Sequence, residues 1–212
     1  MRTSERSTSE HDWHSRDYVD WWITRDQSRD AERRQRRLRA MLGHAGIAAD
    51  AELSVIDIGG GYGVVTEEVV AAFPRARVTL QDYSEPILLM ARERLIAHSG
   101  RINFVMADLT DRGWVDRVLS LGGGPFDLAV SAIVVHNLRQ TLLIANAYSG
   151  VARMLKPGGL FLDYDLFFDE IGGLAGNMQL LQEAGFARVD CLWQQAPLAT
   201  IAAWMGVEPL EK

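Results

Sequence analysis

Val55-Ile-Asp-Ile-Gly-Gly-Gly-Tyr-Gly63 carries a short apolar run straight into four glycines. The run over residues 53–58 predicts a buried strand, and the apolar spacing of Val65, Val69, Ala72 and Phe73 predicts a helix over 64–73. Glycines at a strand-to-helix turn permit positive φ and let the backbone approach a ligand at the strand's carboxyl end, where open α/β sheets bind their ligands. A nicotinamide fingerprint needs G-x-G-x-x-G, but its last position is Val64 or Thr66 depending on register. Nicotinamide oxidoreductase chemistry is therefore disfavoured. No G-x-x-x-x-G-K-[ST] run exists either, which argues against a phosphate-gripping loop.

Outward from this turn the same alternation repeats. Residues 77–81 predict a second strand, and Ser84 predicts the N-cap of a helix with Glu85 and Pro86 in its first turn, continuing through Met90 and Leu95 to Gly100. A third strand over 102–107, a helix around 114–121 and a strand over 127–131 follow, then a long helix over 138–155 ended by Pro157-Gly-Gly159 and a strand over 160–164. Strands and helices in alternation imply right-handed crossovers and a parallel sheet with helices on both faces. The end of the chain differs. A helix over 178–184 precedes two runs, 186–193 and 198–204, that read as an antiparallel hairpin turning near Ala196-Pro197.

The chain has 212 residues, of which 48% are hydrophobic and 24% charged, enough for one substantial core and an appendage. A formal charge of −6 gives no bulk attraction for a polyanion, so nucleic acid is not an expected partner. The charge is uneven: residues 1–50 hold 10 basic and 9 acidic side chains, leaving 12 and 19 for the remainder. The lone cysteine, Cys191, fits a reducing compartment, and no Cys/His cluster has metal-ligand spacing. Apolar runs fall far short of the roughly 20 residues of a membrane span, and the polar N-terminus lacks a secretory apolar segment. A cytoplasmic protein without a membrane partner is expected. Residues 1–12 read as a disordered tail. Residues 13–46 read as a helical segment whose second helix is capped by Asp30, with Leu38, Met41 and Leu42 on its apolar side and Gly43 as its stop. Residues 47–212 read as the main domain.

The motifs, taken in order, resemble the class I S-adenosylmethionine-dependent methyltransferases of the small-molecule type. Asp57-x-Gly59-x-Gly61-x-Gly63 matches the family's first motif, and the resemblance implies that Asp57, Gly59, Gly60 and Gly61 border the cofactor. Asp82 ends the second strand where the family has an acidic residue accepting both ribose hydroxyls, a task suited to the two oxygens of a carboxylate. Asp108 matches the acidic residue near the adenine amine; Tyr83, Leu109 and Ser131 adjoin these strand ends and are candidate cofactor contacts. Met-Leu-Lys-Pro-Gly-Gly159 and Leu-Gln-Glu-Ala-Gly-Phe186 continue the likeness, which covers roughly residues 50–205. It implies an α/β, Rossmann-like, doubly wound and mostly parallel seven-stranded sheet with an antiparallel C-terminal hairpin strand and an N-terminal helical lid.

It also implies methyl transfer from S-adenosylmethionine to oxygen or nitrogen of a small organic acceptor, by in-line displacement in which alignment and desolvation dominate. A phenol or alcohol acceptor would need a base. His136, after the fourth strand, is the candidate, with Asp165 and Tyr164 at the end of the fifth strand bordering the same cavity. Little chain separates Asp165 from the next helix, so a substrate cap must come from elsewhere. Trp13, Tyr18 and Trp22 are the candidate lid and acceptor contacts, with a homodimer partner as an open alternative. His11, His14, His44 and His98, Arg25 and Arg29, and the Arg33–Arg39 run read as solvated side chains. Rival readings are a protein or RNA methyltransferase, and a cofactor-binding protein of the same fold that transfers nothing.

Overall fold

The computed structural model describes residues 12–27 and 31–207. Seven strands form one sheet: β1 (Ser54–Ile58), β2 (Arg77–Asp82), β3 (Ile102–Met106), β4 (Phe126–Ala132), β5 (Leu155–Leu166), β6 (Phe186–Gln195) and β7 (Leu198–Met205). Their order is β3-β2-β1-β4-β5-β7-β6. The first five are mutually parallel; β7 runs antiparallel to both β5 and β6. The expected architecture is therefore present. The order reverses between β1 and β4, because the chain passes from β1 to β2 and β3 on one side and then to β4 on the other, and this opens a crevice at the carboxyl ends of β1 and β4.

Each face of the sheet is covered by helices. Leu38, Met41 and Leu42 of α2 (Ala31–Gly43), Val65 and Val69 of α3 (Val64–Ala72) and Leu88 and Ala91 of α4 (Glu85–Arg94) pack on one face with Leu160, Leu162 and Tyr164. Trp114 and Val118 of α5 (Trp114–Gly122), Ile144 and Tyr148 of α6 (Thr141–Met154) and Leu181 of α7 (Gly173–Glu183) cover the other, with Phe161 and Ala129. Burial on two faces explains why β1 and β4 read as continuous apolar runs rather than as alternating patterns. Successive residues of β5 consequently serve opposite faces: Tyr164 points toward α2, while Asp163 and Asp165 point toward α6 and α7.

Several boundaries differ from the sequence expectation. The helix expected over 138–155 begins only at Thr141, because a 3-10 turn, Val135–Leu138, intervenes and Arg139 adopts φ +55°. Pro157-Gly-Gly159 lies inside a lengthened β5 rather than before it, in an irregularity where pairing with β4 jumps from Phe126/Leu155 to Leu128/Leu160. The helix expected to reach Gly100 ends at Arg94 and continues as the 3-10 segment Ile96–Arg101. Helix α7 starts earlier than 178, at Gly173, which like its N-cap Gly172 has positive φ. The Asp30 cap and the tail over 1–11 lie outside the described residues.

Two helices precede β1. The first, α1 (Arg16–Gln27), buries Val19 and Ile23 against Tyr62 of the glycine turn and Ile87 of α4. Burying side chains of this size contributes about 1.5–3 kcal/mol each, so α1 is held by packing rather than by its own propensity. Among the described residues no helix is long and apolar enough to cross a membrane.

Candidate active site

The glycine turn is built by its own backbone. Gly59 and Gly61 adopt φ +61° and +54°, and a Cβ on Gly59 would lie 2.4 Å from Val134 Cγ1. On Gly60 it would meet Leu80 at 2.6 Å and the Asp57 carboxylate at 2.9 Å. These positions therefore require glycine. The second strand holds the turn: Gly59 N donates to Gln81 Oε1 (3.0 Å), Gly60 N to Gln81 O (2.9 Å) and Gly61 N to Asp82 Oδ2 (3.0 Å).

Two buried carboxylates lie at this turn. Thr66 Oγ1 donates to Asp57 Oδ2 (2.6 Å), whereas Asp57 Oδ1 is buried with no hydrogen-bond partner among the described residues. Burial pushes Asp57 up to about 7, outweighing the Thr66 hydrogen bonds. Burial likewise pushes Asp82 up to about 6, against backbone donors from Ser84 and Gly61. A cationic group and a vicinal diol seated over the turn would supply what these carboxylates lack. Beyond Asp82 a cleft of about 850 Å³ runs along the ends of β2 and β3, lined by His14, Tyr83, Ala107, Asp108 and Trp114 among others. Asp108 is fixed there by Thr110, whose N and Oγ1 both donate to Oδ1 at 2.8 Å.

On the other side of the crevice, β4 and β5 bring together residues 29 apart in sequence. Asp165 Oδ2 accepts from Val134 N (3.2 Å) and His136 N (3.1 Å), and Oδ1 accepts from Leu166 N (2.7 Å). Asp165 Oδ1 also lies 2.6 Å from His136 Nδ1. A carboxylate already accepting three N–H groups makes Nδ1 the donor, so His136 keeps Nε2 as its free, proton-accepting nitrogen. The side chain of Asp165 is 1% exposed and that of His136 15%, so the carboxylate is sealed and the imidazole is reachable. The turn between them is strained: Ile133, β-branched, has φ +60° and is pinned by Ile133 N donating to Tyr164 O (2.9 Å).

With this geometry, residues 55–159 match the family described as a methyltransferase domain. The chain belongs to the class I S-adenosylmethionine-dependent methyltransferases. It is 42% identical over 80 residues to a release factor glutamine methyltransferase of Chlorobaculum tepidum, covering 37% of this chain and 26% of that one. It is 32% identical over 108 residues to the ubiquinone/menaquinone biosynthesis C-methyltransferase UbiE of Syntrophotalea carbinolica, covering 51% and 41%. The chain thus spans less than half the length of these relatives. An O-methyltransferase family protein from Burkholderia thailandensis shares the fold, with TM-score 0.69 at 18% identity over 94% of this chain and 62% of that one.

Within this methyltransferase domain the sequence candidates are not all gathered in one place. Asp57, Gly59, Gly60, Gly61, Asp82, Tyr83 and Asp108 cluster at the ends of β1, β2 and β3. Leu109 is buried in the core beside them, and Ser131 is wholly buried next to Asp163, its β5 neighbour, away from the open edge. His136 and Asp165 form the pair described above. Tyr164 does not join them: its ring faces Trp193 on the α2 side, and burial pushes its hydroxyl up. Trp13 and Trp22 pack edge-on (centroids 5.0 Å), Trp22 reaches Tyr62 of the glycine turn (6.2 Å), and Tyr18 joins Trp13 (5.3 Å). These aromatics cover the glycine turn and the end of β2 rather than His136.

Three groups escaped the sequence reading. His14, exposed as expected, also packs edge-on against Tyr83 at 5.4 Å, and Ser84 Oγ donates to Trp13 O, tying the chain before α1 to the end of β2. Arg34 and Arg37 are half-buried on the inner side of α2 rather than on a solvated one. Their i, i+4 relation to the buried Leu38 and Met41 was the available signal. Asp163 is wholly buried, and burial, then the charge of Asp165, pushes it well above the carboxylate range.

Proposed function

We propose that this chain transfers a methyl group from S-adenosylmethionine to oxygen or nitrogen of a small organic acceptor, with His136 as the base and Asp165 as its positioning residue. The observation that carries the reading is the 2.6 Å contact between His136 Nδ1 and Asp165 Oδ1 beside the glycine turn. The glycine turn, Asp57 and Asp82 are suited to hold the cofactor's methionine and ribose portions, and the His14–Tyr83–Asp108 cleft its adenine. When bound, the cofactor supplies an electrophilic methyl that an in-line nucleophile displaces. Asp82 accepts from the diol, Asp57 faces positive charge, and His136 Nε2 removes the acceptor's proton as the nucleophile develops charge. Helix α1, docked over Tyr62 and tied to Ser84 through Trp13, acts as a lid that excludes water from the cofactor side. A covered site supports a small acceptor over a macromolecular one.

The test is transfer of labelled methyl from S-adenosylmethionine to a panel of phenols, amines and acids. Labelled small products that His136→Ala forms at least about a hundredfold more slowly are expected. Label entering only protein or RNA would overturn the small-acceptor reading, and full turnover in His136→Ala would remove the base.

A further inference from the structure

The inner side of α2 changes character along its length. From Leu38 onward it is apolar; one turn earlier, the same side presents Arg34 and Arg37. That end of the helix lies at the carboxyl edge of the sheet, because Arg34 Nη2 reaches Tyr62 OH of the glycine turn (3.4 Å) and Arg33 Nη2 donates to Gln195 Oε1 at the end of β6 (3.0 Å). Gln195 pairs with Leu198, which pairs with Leu166 at the end of β5, so both contacts lie at the level of the strand ends.

Arg37 occupies the centre of this arrangement. Its guanidinium lies 3.7 Å above the Trp193 ring, and Trp193 stacks at a tilt on Tyr164 (centroids 6.3 Å), the residue whose carbonyl pins the Ile133 turn. On the same helix Arg39 is paired with Glu68 (2.7 Å) and Arg36 with Glu32 (3.5 Å). Arg37 has no carboxylate within ion-pair distance among the described residues and is half-buried. A guanidinium centred over an indole face is held in place while its N–H groups stay available, which suits bidentate binding of an oxyanion.

Resting on the methyl-transfer reading, we propose that the acceptor is an anion whose carboxylate or phosphate seats on Arg37, on the α2 side of the sheet above Trp193 and Tyr164, with its nucleophilic end passing over the carboxyl edge of β5 toward His136. The chain as a whole is acidic, so this arginine wall is a local inversion of its charge and would repel cationic acceptors. Arg34 and Arg33 add to the same field without being required to bind directly.

Calorimetric titration of the full chain, with and without S-adenosylhomocysteine, tests this with 4-hydroxybenzoate, phenyl phosphate and the neutral 4-hydroxybenzamide as probes. At least one anion is expected to bind about tenfold or more tightly than the amide. Which of the two binds separates carboxylate from phosphate. Arg37→Gln should reduce the preference to about twofold while S-adenosylhomocysteine affinity, reporting an intact fold, stays unchanged. Arg36→Gln, already neutralised by Glu32, should keep it. No anion preference at millimolar probe, a preference surviving Arg37→Gln, or an equal loss in Arg36→Gln would each overturn the proposal. Failure of S-adenosylhomocysteine itself to bind would instead remove the methyl-transfer reading beneath it.

Discussion

The two sides of the crevice are built by different means. On the side proposed for the cofactor, three consecutive glycine amides are held by two consecutive residues of β2, and the geometry depends on backbone with no room for a Cβ at Gly59 or Gly60. On the side proposed for the acceptor, β4, β5, β6 and α2 each contribute one or two side chains, and the hydrogen bonds join residues far apart in the chain. The first construction fixes one ligand by shape. The second allows the acceptor to change by single substitutions without disturbing the first.

This contrast predicts that damage on one side leaves the other intact. The largest effect is expected for His136→Ala: a loss of about 10²–10⁴ in kcat/KM, measured by product formation, with cofactor affinity within about twofold. Gly59→Ala should do the reverse, weakening S-adenosylhomocysteine binding about a hundredfold by calorimetry, since alanine is strained at φ +61° and collides with Val134. Asp165→Asn should cost about 10–100-fold in turnover, because an amide both misdirects the His136 tautomer and turns a donor toward backbone N–H groups. An equal loss of cofactor binding in that variant would break the division between the two sides.

Smaller effects sharpen it. Asp82, pushed up to about 6, must be ionised to accept from a diol, so cofactor affinity should fall as pH drops through 6, by about tenfold at pH 5, and Asp82→Asn should flatten that step. In the ligand-free chain the sign for stability is opposite. A carboxyl raised in the folded state favours folding at low pH, and this contribution is lost as pH rises from about 4 toward 6. Ser84→Ala removes both the α4 cap, where Ile87 N donates to Oγ at 3.3 Å, and the tie to Trp13. It should cost about 1 kcal/mol in thermal stability and only a few-fold in cofactor affinity.

The same contrast explains what could be read from sequence. The strand at Ser54–Ile58, the glycine turn, Asp82 and the Ser84 cap are local patterns, and their expected places agree with the structure. Arg37 was read as solvated because nothing near it in sequence signals Trp193, 156 positions away, which only the β5–β7–β6 pairing brings under it. Tyr164 and Asp165 were grouped as neighbours although adjacent strand residues face opposite sides of the sheet. Trp13 and Trp22, the candidate acceptor contacts, pack on Tyr62 and the β2 end, because α1 docks through Val19 and Ile23 onto the glycine turn and α4, a placement that no local pattern signals.

The most direct measurement is calorimetric titration of S-adenosylhomocysteine into the native chain, Gly59→Ala and His136→Ala, all confirmed as folded. Saturable binding to the native chain, retained in His136→Ala and lost in Gly59→Ala, is the expected result. Native-like binding in Gly59→Ala, or its loss in His136→Ala alone, would contradict the assignment of cofactor and acceptor to the two sides of the crevice.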